Sequence, residues 1–309
     1  MAAPQQNVPD DLAQPFQLEN GVARGRLVRL GPAAQAVVGG HDYPPPVAGL
    51  VSEMLALTVL VAGVLKFDGV FSLQAKGDGP VGLIVADMTS QGAVRGFAKF
   101  DADAVAALGD GWKDAPVPHL LGAGYLAFTV DQGPDSDPYQ GIVDLTGATL
   151  ADCAHNYFHQ SDQFDGVVKL TSDRIDGVWR TGGLLVQKMP PDGRTLISGE
   201  TAEEEFEDAW RRAVIFMGSS RDSELLDAAL HPHDLLFRLF HEDGVRVFDP
   251  EPVEMKCRCS TDRVANMLQS FPRAAIEDMR IDDRVVVTCE FCGRDYDFSE
   301  EDLDRLYGA

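Results

Sequence analysis

Residues 256–260 read Lys-Cys-Arg-Cys-Ser and residues 288–293 read Thr-Cys-Glu-Phe-Cys-Gly, and these two stretches decide how the chain divides. They set Cys257 and Cys259 in a C-x-C pair and Cys289 and Cys292 in a C-x-x-C pair, with residues 260–288 between them. Each pair can chelate from one short loop while a folded spacer brings the loops together, which is the arrangement a tetrahedral Zn²⁺ site requires. The second pair has its own local frame: residues 284–288 are strand-like, the Cys-Glu-Phe-Cys-Gly run makes a tight turn, and residues 295–298 return. The fifth cysteine, Cys153, stands apart beside His155 and His159. Two histidines at i, i+4 without the Glu of an H-E-x-x-H arrangement read as packing or solvated helix residues.

Spacing alone leaves several chemistries open. A purely structural zinc module is the plainest, giving a constitutive, zinc-stabilised binding module. A redox switch is the sharper one: oxidation joins each close pair and expels the metal, and Lys256, Arg258 and Arg294 place positive charge beside thiols in an otherwise acidic region. The third is a thiol-disulfide oxidoreductase using Cys289 and Cys292, although that motif lies in a knuckle and lacks a βαβ context. No G-x-S-x-G and no phosphate loop ending in Gly-Lys-Ser/Thr occurs, so any chaperone-like work is independent of ATP.

Working outward, the helical periodicity of Phe206, Ala209, Trp210, Ala213, Val214 and Met217 predicts an amphipathic helix opened by a capping box of Thr201 and Glu204. A second apolar segment, 235–240, follows Pro232. Residues 199–255 therefore read as a helical connector with few partners of its own, at the low-stability end of the molecule. Phe206, Trp210 and Val214 are either contacts for a binding partner or simply packed on the preceding domain. Upstream, strands are expected at 21–30, 71–75, 81–86, 93–100, 125–130, 140–145, 167–171 and 184–189, with a helix at 150–163. Gly77-Asp78-Gly79-Pro80 reads as a hairpin turn in which the glycines supply positive φ. The most apolar run, 47–65, carries Ser52, Glu53 and Thr58 and reads as a buried core helix introduced by Pro44-Pro45-Pro46 rather than a membrane span. The fold class is α+β.

Composition narrows the function. With 26 Lys+Arg against 49 Asp+Glu the formal net charge is −23, which repels a phosphate backbone and argues against nucleic acid. Five cysteines in 309 residues are too few for a secreted disulfide scaffold, and the N-terminal residues show no basic-then-apolar export pattern; the expected compartment is the reducing cytoplasm.

The C-x-C and C-x-x-C order at the C-terminal end resembles the heat shock protein 33 family of redox-regulated holdase chaperones, and the resemblance covers nearly the whole chain. It extends to Glu53-Met54-Leu55-Ala56-Leu57-Thr58, Leu65-Lys66-Phe67-Asp68-Gly69, the run from Leu73 to Pro80, Arg95-Gly96-Phe97-Ala98, and Gly182-Gly183-Leu184-Leu185-Val186-Gln187. Phe97 replaces the more usual Tyr, and Ser52 and Met54 vary the helix block. The resemblance implies an N-terminal α+β domain over 1–198 for core, dimerisation and client binding, a metastable helical linker over 199–255, and a zinc-binding redox-switch domain over 256–309. It implies that Cys257, Cys259, Cys289 and Cys292 bind one Zn²⁺ when reduced and form Cys257–Cys259 and Cys289–Cys292 disulfides when oxidised. Zinc release then unfolds the linker, exposes surface for unfolded or oxidatively damaged clients, and promotes a homodimer. No catalysis, nucleic acid or membrane partner is expected.

Overall fold

In the computed structural model the described residues are 10–133, 136–160, 165–190, 200–281 and 283–308, the side chains of 200–202 excepted. They form two compact units, Met1–Met255 and Lys256–Ala309.

The strands of the large unit are β1 (Leu12–Leu18), β2 (Ala23–Leu30), β3 (Val70–Gly77), β4 (Val81–Thr89), β5 (Ala93–Phe100), β6 (Gly124–Asp131), β7 (Tyr139–Asp144), β8 (Gly166–Ile175), β9 (Val178–Lys188), β10 (Val245–Val247), β11 (Glu251–Pro252) and β12 (Glu254–Met255). Its helices are α1 (Pro32–Val38), α2 (Pro45–Ala62), α3 (Ala102–Ala107), α4 (Leu150–Gln160), α5 (Glu200–Gly218), α6 (Asp222–Leu226) and α7 (Pro232–Phe240). One sheet runs β10-β1-β2-β9-β8, with β11 also on β1; the other runs β12-β5-β4-β3-β6-β7. All neighbours are antiparallel except β12 on β5.

Helix α2 lies between the sheets, touching β2, β8 and β9 of one and β3, β4 and β5 of the other. A helix that is apolar all round needs cover all round. Val47, Val51, Met54, Leu55, Leu57 and Leu60 are all inaccessible to solvent. Ser52 and Thr58 enter this core without stranding a hydroxyl, because each donates one turn back, to the carbonyls of Ala48 (2.8 Å) and Met54 (2.7 Å). By length and composition α2 is the one described helix apolar enough to cross a membrane, and 78 % of its apolar window is covered by protein, as in a core helix.

The 77–80 turn joins β3 to β4 as expected, for a different physical reason. Neither Gly77 nor Gly79 has a positive φ. A Cβ at Gly77 would lie 1.9 Å from the Leu121 carbonyl and one at Gly79 would lie 2.6 Å from that of Leu120, so glycine here permits close approach of a second backbone. Asp78 fastens that approach by accepting from the Ala123 amide at 2.7 Å. Helix α4 begins at Leu150 and is described to Gln160; residues 161–163 of the expected helix lie outside the described residues. Strand β9 begins six residues ahead of its expected start, and β1, interrupted in pattern by Pro15, was not anticipated.

The connector differs from its sequence reading in one important respect. Helix α5 begins at Glu200, so Thr201 lies inside the first turn rather than capping it. The segment is also far from short of partners. Leu225, Leu235, Leu236, Leu239 and Phe240 are buried against Phe16, Leu18, Leu27, Leu184 and Val186 on the face of the first sheet opposite α2, forming a second core with Ala213 and Met217 of α5. Phe206 and Trp210 are partly buried against the same cluster, so packing on the preceding domain is what the structure shows for them. Sequence pattern misses this because β2 (ARGRLVRL) and β9 (VWRTGGLLVQK) carry arginines, glycines and other polar residues that do not mark a strand covered on both faces, although most of their residues are buried.

Glu53 is the one acidic residue of α2, enclosed by protein with only a sliver of solvent access. Its Oε1 accepts from Ser172 Oγ at 3.4 Å. Burial pushes its carboxyl up to about 7 from 4.5, against the hydrogen bond from Ser172 and with the Asp222 charge adding to the rise. The folded chain therefore holds a proton that the unfolded chain has lost between those values, and stability falls as pH rises through that window. Glu53→Gln removes the penalty. Urea unfolding at pH 8 is expected to show a gain of about 1–3 kcal/mol that shrinks toward zero by pH 5; a gain independent of pH would show that ionisation is not its source.

Candidate metal and redox centre

The second unit contains α8 (Thr261–Gln269), α9 (Arg273–Glu277), α10 (Glu300–Tyr307) and a hairpin of β13 (Val285–Thr288) and β14 (Asp295–Phe298). Its core is small: Val264, Leu268, Ile276, Val285, Tyr296, Phe298 and Leu303 are buried. Arg273 of α9 pairs with Glu277 one turn on along its own helix and with Glu300 and Asp304 of α10, tying the two helices together. A unit of this size buries too little apolar surface to be comfortably stable without a further cross-link.

Each cysteine pair is held by backbone geometry that its neighbours dictate. Cys257 and Cys259 lie in the run leading into α8, where Ser260 caps the helix by accepting from the Arg263 amide at 3.2 Å. Arg263 reaches back and donates through Nη1 to the Arg258 carbonyl at 2.7 Å, pinning the loop between the two thiols. The other pair occupies the β13–β14 turn. The Cys289 amide donates to the Arg294 carbonyl (2.9 Å), and the Cys289 carbonyl accepts from the amides of Gly293 (2.8 Å) and Cys292 (3.3 Å). Gly293 has φ of 67°, the left-handed conformation that the knuckle requires and that glycine adopts without strain.

These two loops bring all four sulfurs together. The sulfurs lie within 4.8 Å of one another, and each cysteine is half-buried. Cys257 Sγ is 3.7 Å from Cys289 Sγ, and Cys259 Sγ is 3.5 Å from Cys292 Sγ. The four soft donors are the one cluster among the described residues that is gathered closely enough to hold a metal ion. Their acidities diverge. Burial pushes the Cys292 thiol up to about 12, and hydrogen bonding among the neighbouring sulfurs adds to the rise. Cys289 is also raised, chiefly by burial. Burial works the same way on Cys259, yet interactions with Tyr296 and the three other thiols outweigh it and hold this group at about 7. One group thus ionises readily beside two, Cys289 and Cys292, that burial holds toward the thiol form. Tyr296 is itself buried, its hydroxyl lying against Cys259 without a well-aligned hydrogen bond.

Cys153 is not part of this chemistry. It is fully buried in α4, its Sγ 3.6 Å from the Thr146 carbonyl, and burial pushes its thiol up to about 11. His155 uses Nε2 to accept from the Val168 amide at 3.0 Å, and His159 is exposed. The sequence reading singled out the four cysteines but not the residues that set their loops. Of these, Ser260 ahead of the 261–269 helix was the visible cap signal; the roles of Arg273 and Tyr296 depend on contacts between distant residues.

Comparison with known proteins places the whole chain. The family model described as Hsp33 protein matches residues 11–299. The chain belongs to the Hsp33 family. The 33 kDa chaperonin of Caulobacter vibrioides strain NA1000 is 42 % identical over 299 residues, covering 95 % of this chain and 96 % of that protein. The 33 kDa chaperonin of Pseudomonas fluorescens strain SBW25 is 35 % identical over 306 residues, covering 98 % and 96 %. The crystal structure of the Hsp33 homologue of Thermotoga maritima superposes with a TM-score of 0.77 at 23 % identity, covering 97 % of this chain and 98 % of that one, and so shows the shared Hsp33 fold.

Proposed function

We propose that this chain is a redox-regulated, ATP-independent holdase that keeps unfolding and oxidatively damaged proteins from aggregating. The observation that carries the reading is the convergence of four cysteine sulfurs within 4.8 Å in a unit with a small apolar core. The reduced centre takes one Zn²⁺. Tetrahedral zinc with bonds of about 2.3 Å requires sulfurs about 3.8 Å apart, close to the 3.5 and 3.7 Å of the two cross-pair contacts. When bound, zinc supplies folding free energy and keeps all four thiols as thiolates.

Activation is a four-electron oxidation. Cys257 and Cys259 lose two electrons to form one disulfide, and Cys289 and Cys292 lose two to form the other. Two equivalents of peroxide accept them and, with four protons, become four waters, while Zn²⁺ leaves. The connector, residues 199–255, runs directly into Lys256, so unfolding of the metal-stabilised unit leaves its C-terminal end held only by the pairing of β10 and β11 on β1 and of β12 on β5. Releasing α5–α7 from the first sheet uncovers Phe16, Leu27, Leu184 and Val186 as apolar surface for cytoplasmic clients, and two such surfaces pair as a homodimer.

The test compares reduced protein with protein treated with peroxide or hypochlorite at raised temperature. Zinc and free thiols are assayed alongside light scattering of a thermally unfolding client. One zinc and four thiols lost together, with suppression of aggregation gained, is the expected outcome. Equal suppression by both samples with zinc retained would leave a constitutive zinc-stabilised module, and repeated turnover of a disulfide substrate by substoichiometric protein would make it an oxidoreductase.

A further inference from the structure

We propose that Arg29 and Arg180 are positioning residues forming a buried latch that holds residues 222–231 of the connector on the first sheet and sets how readily that segment lets go. Arg29 of β2 is entirely inaccessible to solvent. It donates through Nε to the Leu225 carbonyl (3.1 Å), through Nη1 to that of Leu230 (2.7 Å) and through Nη2 to that of Glu224 (3.3 Å). Arg180 of β9, nearly as buried, donates through Nε to the Leu226 carbonyl at 2.7 Å and forms a two-pronged pair with Asp10. Two guanidinium groups thus satisfy four connector carbonyls.

The acceptors explain why two arginines are needed. Helix α6 has five residues, too few to stand alone, and its last carbonyls have no partners within the helix. Those carbonyls form the negative end of the helix and point into the protein, where water cannot serve them. A guanidinium fork supplies several donors in fixed directions together with a positive charge, which a lysine ammonium cannot reproduce.

Glycines in the sheet make room for this contact. A Cβ at Gly182 would come within 2.7 Å of the Leu225 carbonyl, so the connector backbone rests directly on the strand at that point. A Cβ at Gly31 would lie 2.5 Å from the Asp10 carboxylate and 2.7 Å from Arg180 Nη1, so Gly31 leaves the space the Asp10–Arg180 pair occupies. The arrangement is electrically lean: burial lowers the Arg29 guanidinium to about 10, opposed by the charge of Asp10. Buried donors without partners are costly: release of the connector strips Arg29 of its three carbonyl acceptors, while Arg180 loses the Leu226 carbonyl and keeps its pair with Asp10.

The proposal rests on the reading that connector release activates the chaperone, and its test separates the two. Amide hydrogen exchange is measured on the reduced, full-length chain with zinc and thiols assayed in the same samples. Variants are Arg29→Gln, Arg180→Gln and the charge-preserving Arg29→Lys, with Arg24→Gln on the same strand as control. Both glutamine variants are expected to exchange about 30-fold faster across 222–231 while β3–β6 stay within about threefold of the parent, with zinc retained. Arg29→Lys is expected to fall between, and Arg24→Gln to match the parent. Unchanged exchange at 222–231, or an equal rise throughout the large unit, overturns the latch. If the segment opens as expected and the reduced variants still suppress no client aggregation, the latch stands and the activation reading fails.

Discussion

In the full-length chain, Cys289→Ser is expected to lose its metal: zinc in the purified, reduced protein falls from one equivalent to about a tenth or less, because one thiolate of four is gone and the remaining three must bind a cation in a unit with little other support. The effect is large because the two sources of order in residues 256–308 are coupled. Seven buried apolar residues form the core, and Cys259 and Cys289 pack against its edge. Structural zinc is worth about 10–16 kcal/mol in small metal-folded modules, far more than such a core supplies. Hydrogen exchange across β13, β14 and α8 is expected to reach unprotected rates in the variant while the sheets of the large unit keep their protection. Cys153→Ser is the matched control, since that thiol lies in the other unit and touches none of the four. A full equivalent of zinc retained by Cys289→Ser would mean that the cluster does not bind through all four sulfurs.

The second large effect is expected at the far end of the connector. Phe240 is completely buried and stacks on Phe16 with ring centroids 5.4 Å apart and planes 25° from parallel. Phe240→Ala leaves a cavity between α7 and β1 and removes the stacking, a loss of about 3–5 kcal/mol. Most of it falls on the docking of the connector, because Phe240 belongs to the second core and not to the one built around α2. Urea unfolding followed by tryptophan fluorescence is informative here, since Trp210 reports on the connector. The expected trace is an early transition from the connector followed by the main unfolding of the sheets. A single transition at the parent's midpoint would show that Phe240 contributes little to holding the connector in place. Under the proposed function the same variant suppresses client aggregation at a lower oxidant dose than the parent.

The two predictions act on parts of the molecule that were legible to different degrees. Thiol chemistry is local: a C-x-C and a C-x-x-C each chelate within one turn, so residue type and spacing name Cys257, Cys259, Cys289 and Cys292 before any fold is known. The β3–β4 turn, the span of β5 and the core helix α2 were legible for the same reason, since strand alternation, turn residues and an unbroken apolar run are written in neighbouring positions. The turn itself was located correctly and explained wrongly. Gly77 and Gly79 are there to admit the 120–124 backbone, a demand made by residues more than 40 positions away that no local pattern records.

The connector lay furthest from what local pattern could reveal. Its amphipathic stripe was visible, but the surface that receives the stripe is the second face of β2 and β9, and strands interrupted by arginines and glycines do not announce that both faces are covered. Arg29 and Arg180 likewise read as ordinary charges on strands; their importance comes from the carbonyls of α6, which lie 196 and 46 residues further along the chain, respectively. Residue identity and short-range spacing thus picked out the four cysteines that the fold gathers, the α+β class and most element positions, because those depend on covalent neighbours. The three-dimensional packing decided that the connector is docked rather than loose, which carbonyls the buried arginines satisfy, and why particular glycines are small. Each of those depends on the distance between groups remote in sequence, and only the folded chain sets that distance.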